Sequence, residues 1–298
     1  MRNQKYAYQY HLMLLPVMAF LVIFHILPMF GVIIAFEKFI PTRGFFGSEF
    51  VGLKYFQQML KMSISWRIFR NTVVIAVWKI AMNMVVPITF SILLNEVRVE
   101  GFKRTAQTII YLPHFLSWVV LAIPIMNIFA YDGVVNNIVR AFGGSPILFM
   151  SSNSWFRPIL IMTDVWKEFG FGTIVYLAAI SGIDPALYES AAIDGANRKD
   201  MLLHITIPRI LPSVMIMLIL QLASLFISNF DQVYNLYNNY VLSTGDVLST
   251  YIYRISLGGS GTNFELSTAM NLVLNTMGLI VVLGANKFVE KLDVQGIF

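Results

Sequence analysis

Three ionisable residues, Asp164, Lys167 and Glu168, stand inside an apolar run that extends from 155 to 181. Charge at that depth is costly without a partner, so such residues face a bundle interior or a water-filled cavity. Lys167 follows Asp164 by three positions, which on a helix places both on one face and lets them neutralise each other. Two chemistries suit the set: the wall of a translocation path, or a proton relay. A purely structural ion pair is the plainer alternative. The four histidines, His11, His25, His114 and His204, pair at no metal-ligand spacing. His25, inside an apolar run, reads as a bond to a neighbouring helix or to water.

Other reaction chemistry is missing from the sequence. There is no His-Glu-x-x-His, no Gly-x-Ser-x-Gly and no Walker A motif. Leu257-Gly258-Gly259-Ser260-Gly261 lacks the following Lys-Ser/Thr of a phosphate loop. Zero cysteines exclude disulfides, thiolate metal sites and cysteine nucleophiles. The expectation is a chain that is not itself an enzyme and carries no cofactor or metal.

The second informative stretch is polar, residues 184–208, set between two long apolar runs and so presented at one membrane face. Asp184 suits a helix N-cap and Pro185 the first helical position, where its missing N–H is not needed. Ala186, Ala191 and Ala192 favour helix. Gly195 permits a sharp turn or close approach, and Pro208 is expected to stop a second short helix. The stretch reads as a rigid helix–turn–helix on the membrane surface.

These features must be positioned by an apolar scaffold. Of 298 residues, 57% are hydrophobic and 12% charged, about half the charge of a soluble domain. Runs at 12–36, 71–94, 109–130, 155–181, 210–230 and 266–288 are each long enough to cross ~30 Å of hydrocarbon as helices. Alternating ten-residue strands are absent, which argues against a barrel. The fold class is therefore all-α: a polytopic membrane protein of six transmembrane helices, one transmembrane domain over 1–298. The first run exceeds a signal-peptide core and is expected to stay in the membrane, kinked at Pro16 and Pro28. Residues 37–69, with Phe50, Tyr55, Phe56 and Trp66, read as a surface-lying aromatic segment. Six crossings put both termini and residues 184–208 on one side. Lys/Arg number ten on that side and nine opposite, so charge bias does not choose the orientation. The net +5 charge fits contact with anionic lipid rather than nucleic acid.

Glu189-Ser190-Ala191-Ala192, Gly195, and Ile205-Thr206-Ile207-Pro208 after nine intervening residues resemble the EAA loop of ABC importer permeases. Ser190 stands for the pattern's Ala and Ile207 for its Leu. Further stretches are similar to the carbohydrate-uptake branch serving oligo- and polysaccharides, including alginate and pectin fragments: Phe50–Phe56, Tyr111–Val120, Trp155–Leu160, Tyr176–Pro185, Asp246–Arg254 and the terminal Gly296-Ile297-Phe298. The resemblance implies a permease that pairs with a second permease subunit, sits on two ATPase subunits and receives an oligosaccharide from an extracellular solute-binding protein. ATP and Mg would reside on the ATPases. It also implies a bacterial cytoplasmic membrane location, with both termini and the loop in the cytoplasm.

On that reading the coupling residues are Asp184, Tyr188, Glu189, Ala192, Asp194, Gly195 and Pro208. Sugars are held by aromatic faces and by amide and hydroxyl groups, so the expected substrate path is Trp118, Asn127, Trp166, Lys167, Gln221, Asn229 and Asp231. The alternatives are an importer permease for peptides or phosphorylated glycerol, and a proton-coupled carrier using Asp164, Lys167 or Glu168.

Overall fold

The computed structural model describes the backbone of residues 3–224, 229–258 and 263–291 and, within these, the side chains from Tyr10 onward except Phe46. The end of the expected 210–230 helix at 225–228, the glycine-rich 259–262 and the terminal Gly-Ile-Phe lie outside the described residues. Internal contacts divide the chain into two units: Met1–Ser65 with Ile252–Leu274, and Trp66–Tyr251 with Asn275–Phe298.

In the first unit α1 (Asn3–Leu21) continues through a π segment, Val22–Ile26, and Leu27–Met29 into a 3-10 run, Phe30–Phe36. The π segment ends two residues before Pro28. A proline ring in an α-helix collides with the carbonyl four residues back, here that of Phe24, and a wider turn makes room for it. Within 37–69 the chain forms a two-stranded hairpin, β1 (Glu37–Lys38) antiparallel to β2 (Glu49–Phe50), with Glu37 opposite Phe50. A short helix α2 (Lys54–Lys61) follows. The aromatic residues pack on one another: Phe36 lies 5.2 Å from Phe56 and 6.5 Å from Phe50, ring centre to ring centre.

Helix α3 (Ser63–Glu96) begins eight residues before the expected 71. Its first turns are polar, so hydropathy alone misses them. The expected single helix over 109–130 is instead two: α4 (Glu100–Tyr111), a 3-10 turn Leu112–Phe115, and α5 (Trp118–Ile128), bent by 106°. The bend arises where Leu116 and Ser117 take extended backbone after Pro113, and Ser117 caps the new helix by accepting from the Val120 N–H.

In the second unit, α6 (Val134–Ala141) precedes the long α7 (Asn153–Ser181). Phe156, Ile159, Leu160, Thr163, Lys167, Gly170, Thr173, Leu177 and Ile180 are all buried, a stripe at three- and four-residue spacing along α7. Phe156, Ile159 and Leu160 join Leu121, Ile125, Phe149 and Val233 in the apolar core. The approach of α7 to the end of α4 needs glycine: a Cβ on Gly170 would lie 1.9 Å from the Ile110 carbonyl oxygen. Then come α8 (Pro185–Ile193), α9 (Arg198–Met201), a π segment Leu202–Thr206, α10 (Ile207–Ala223) and α11 (Phe230–Leu236). α12 (Leu248–Ser256) and α13 (Phe264–Glu290) close the sequence of helices.

Among the described residues four helices are long and apolar enough to cross a membrane, or up to six if each of two bent pairs counts as one span. Large apolar side chains are widely exposed along them, among them Leu15, Phe24, Val85 and Leu279. Lipid tails can solvate such faces, whereas water could not.

Candidate functional site

A cavity of about 360 Å³ opens between α3, the turn after α4, α7 and α10. Its walls are apolar at Ala76, Ile80, Phe171 and Met217 and polar at Lys79, Asn83, His114, Asp164, Glu168, Gln221 and Asn229. Lys79 and Asn83 are four residues apart on α3, and Asp164 and Glu168 four apart on α7, so each pair shares a face.

Lys79 is 5% exposed, and its three N–H donors meet three acceptors. These are Asp164 Oδ1 at 2.9 Å, Asn229 Oδ1 at 2.8 Å, and Gln232 Oε1. Gln232 is aimed by its own amide, which donates to the Leu160 carbonyl (2.7 Å) and Thr163 Oγ1 (2.9 Å). Asp164 accepts a second bond at Oδ2 from Asn83 Nδ2 (2.9 Å). A second set lies one turn further along α7. Lys167 Nζ donates to Glu168 Oε1 (2.7 Å) and the His114 carbonyl (3.1 Å), and sits 5.7 Å from the Trp118 ring centre. Glu168 Oε2 meets His114 Nδ1 at 2.7 Å, and the His114 ring stacks on Phe171 at 4.4 Å. Each carboxylate thus faces a lysine, and the cavity combines paired charge, amides and aromatic faces.

The expected Asp164–Lys167 pairing is not made. Each takes a nearer partner: Asp164 reaches Lys79 on another helix, and Lys167 takes the adjoining Glu168. Of the expected path residues, Trp118, Gln221 and Asn229 line this cavity, and Lys167 touches Trp118 at its edge. Asn127 and Asp231 are exposed elsewhere, and Trp166 is 46% exposed on another face of α7. Sequence reasoning missed Lys79, Asn83, His114 and Gln232. The four-residue spacing of Lys79–Asn83 and Asp164–Glu168 was the available signal. No cluster of three or more His, Asp or Glu suited to a metal occurs among the described residues.

The polar stretch at the far end of α7 is a capped helical hairpin. Asp184 Oδ1 accepts from the Ala186 N–H (2.9 Å), and Pro185 opens α8. α8 ends in a Schellman turn: the Ala196 N–H bonds the Ala191 carbonyl (2.9 Å) and the Gly195 N–H that of Ala192 (3.1 Å). Gly195 holds φ +80°, the left-handed conformation this turn requires. A capping box of Asn197 and Asp200 then starts α9. Tyr188 ties the halves together, its hydroxyl 2.9 Å from Thr206 Oγ1.

Pro208 does not stop the second helix. Arg198–Ala223 runs on unbroken, with the π segment at 202–206 again two residues before the proline. Glu189, Ala192, Asp194, Gly195 and Pro208 are exposed, and Ile193 is 87% exposed. The hairpin is therefore fixed internally while its outer surface, carboxylates beside an isoleucine, is left exposed among the described residues.

Residues 87–291, which include most of the cavity and all of the hairpin, match the family described as binding-protein-dependent transport system inner membrane component. The chain belongs to this family. The permease is also similar along its whole length to individual members. It is 37% identical to Protein LplB of Bacillus subtilis (strain 168), over 100% of this chain and 92% of that one. It is 38% identical to the polygalacturonan/rhamnogalacturonan transport system permease protein YteP of the same organism, over 99% and 91%. A chain in the crystal structure of a bacterial alginate ABC transporter, in complex with alginate pentasaccharide-bound periplasmic protein, matches the permease with a TM-score of 0.91. The two are 34% identical, and the match covers 99% of each.

Proposed function

We propose that this permease is the membrane subunit of an ATP-driven, binding-protein-dependent importer of oligosaccharides. It pairs with a second permease, rests on two ATPase subunits that hold ATP and Mg, and takes sugar from an extracellular binding protein. Both termini and the hairpin 184–208 face the cytoplasm, and the crossings number six. The observation that carries the reading is the hairpin. Two caps, a Schellman turn and the Tyr188–Thr206 bond fix its shape, yet its apical residues are uncovered. A rigid, uncovered surface at the end of a long buried helix suits transmission of force from another protein. The cavity on α7, about 360 Å³, falls at the lower end of ligand-pocket sizes. It offers Trp118 and Gln221 to sugar rings and hydroxyls, beside an Asn229 held by Lys79.

The test is co-purification in mild detergent with the cognate ATPase and second permease. The native chain is compared with one whose residues 184–208 are a Gly/Ser linker. Retention of the ATPase by the native chain and loss by the replacement, with both inserted, is the expected result. If neither folded chain holds an ATPase, the reading fails, and the His114–Glu168–Lys167 set becomes the relay of a proton-coupled carrier.

A further inference from the structure

A second cavity, about 470 Å³, lies at the opposite end of α7 from the hairpin and is lined by three arginines: Arg67 and Arg70 from the first turns of α3, and Arg157 from the start of α7. The remaining lining is Trp66, Asn71, Ser243 and Thr244. Arg67 and Arg70 are three residues apart and share a helix face. Arg157 is held in place: its Nε donates to the Thr244 carbonyl (2.8 Å) and its Nη2 to Asn71 Oδ1. Asn71, 1% exposed, in turn donates to the carbonyls of Ser243 and Asp246, at 3.1 Å each. Two of the five guanidinium N–H donors are thus committed to holding Arg157 in place.

None of the three arginines makes an ion pair among the described residues, whereas Lys79, Lys167, Arg140 and Arg198 each do. Three like charges round one cavity repel one another, and an anion among them relieves that repulsion. Planar guanidinium groups match a carboxylate with paired, charge-assisted hydrogen bonds. Trp66, 59% exposed, adds an aromatic face of the kind on which a sugar ring lies.

We propose that this cavity is an entry site selective for acidic saccharides, in which Arg67, Arg70 and Arg157 bind the carboxylate of a uronic acid unit. The proposal rests on the sugar-importer reading, which puts the hairpin in the cytoplasm and this end of α7 outside. It also assigns a division of labour. The central cavity has its lysines matched by carboxylates and makes no demand for an anion; charge selection falls to the arginines, roughly 10 Å earlier along α7.

The test uses the assembled complex of permeases and ATPases, without its soluble binding protein, in phosphatidylcholine nanodiscs and without ATP. Calorimetry compares trigalacturonic acid with its methyl ester. The native complex is expected to bind the acid about tenfold more tightly, with a preference that shrinks as salt is raised. The double variant R67Q/R70Q is expected to bind acid and ester alike, while R67K/R70K keeps most of the preference. Equal preference in native and R67Q/R70Q complexes overturns the proposal. So does a native complex with no preference that retains added phosphatidylglycerol lost by R67Q/R70Q; the cavity is then a lipid site. An assembled, ATP-hydrolysing complex indifferent to the carboxylate overturns this inference alone. Failure to assemble with any ATPase overturns the importer reading instead.

Discussion

Replacing Lys79 by Met tests the energetics of the central cavity most directly. Methionine keeps the length of the lysine stem and removes the ammonium, so Asp164 is left with the single bond from Asn83. Asn229 Oδ1 and Gln232 Oε1 lose a donor as well. Stranding one member of a buried ion pair costs about 3–5 kcal/mol. Asp164 keeps 13% side-chain exposure and one hydrogen bond, which puts the expected loss near the lower figure, about 3 kcal/mol, or about two orders of magnitude in the unfolding equilibrium. Adding Asp164→Leu removes the orphaned charge, so Lys79→Met/Asp164→Leu should be more stable than Lys79→Met, although further from neutral than a fully repacked core. The assay is unfolding in mixed dodecyl maltoside and SDS micelles, followed by helical circular dichroism, for the native chain, both single variants and the double. A Lys79→Met chain within about 1 kcal/mol of native would refute the reasoning, because the pair would then be solvated and not buried. A double variant less stable than either single would refute it equally, since no stranded-charge term would exist.

Three further perturbations probe single contacts. Gly170→Ala drives a Cβ into the Ile110 carbonyl, a backbone group that cannot swing aside; a loss of about 3 kcal/mol or more is expected, read as a collapse of folded yield in size-exclusion fluorescence. At Gly195 a Cβ has open space, with nothing within 4 Å, so Gly195→Ala meets only the left-handed backbone penalty of about 1–2 kcal/mol. Gly195→Asn should recover much of that, and the order Gly, Asn, Ala should appear in sugar-stimulated ATPase activity of the complex. Tyr188→Phe deletes the bond to Thr206, worth about 1 kcal/mol. Hydrogen exchange at 186–193 should quicken while α7 amides stay protected; equal protection in both would show that the bond does not hold the hairpin.

What the sequence discloses here depends on the range of the interaction. Asp184-Pro185, the glycine at 195 and the Asn197–Asp200 box act within a few residues, and each is readable as a cap or turn from the string of letters. Apolar runs are equally readable because lipid demands them locally: 155–181 and 266–288 coincide with α7 and α13 to within two residues at each end. The polar start of α3 at Ser63 is invisible to the same criterion. Pro113 and Pro208 look alike in sequence, yet one precedes a 106° bend and the other lies in a continuous helix. The difference is whether the preceding backbone widens into a π turn, as at 202–206, or becomes extended, as at Leu116 and Ser117. Least readable is the pairing of charges. Three-residue spacing nominated Lys167 for Asp164, but the partner is Lys79, 85 positions away. Only packing of α3 against α7 decides that, and no local pattern encodes it.

These observations converge on α7, which lines both cavities and leads into the hairpin. Arg157 lies in its second turn, Asp164 and Glu168 near its middle, and the hairpin begins three residues past Ser181. From Arg157 to Ser181 is roughly 35 Å of helix. Its only proline, Pro158, falls within the first two turns; beyond it the helix crosses the central cavity and runs unbroken to Ser181, where a 64° bend leads into α8. A helix buried along one stripe and closely fitted at Gly170 cannot bend readily, since packed interiors transmit displacement instead of absorbing it. Force on the hairpin would therefore reach the cavity walls as a shift of α7 against α3. The Lys79–Asp164 pair, which joins those two helices, is the contact such a shift would have to stretch or carry along. A buried ion pair adds little net stability over an apolar contact. It does, however, fix one register between two helices sharply, and a helix that is to carry force needs at least one register so defined.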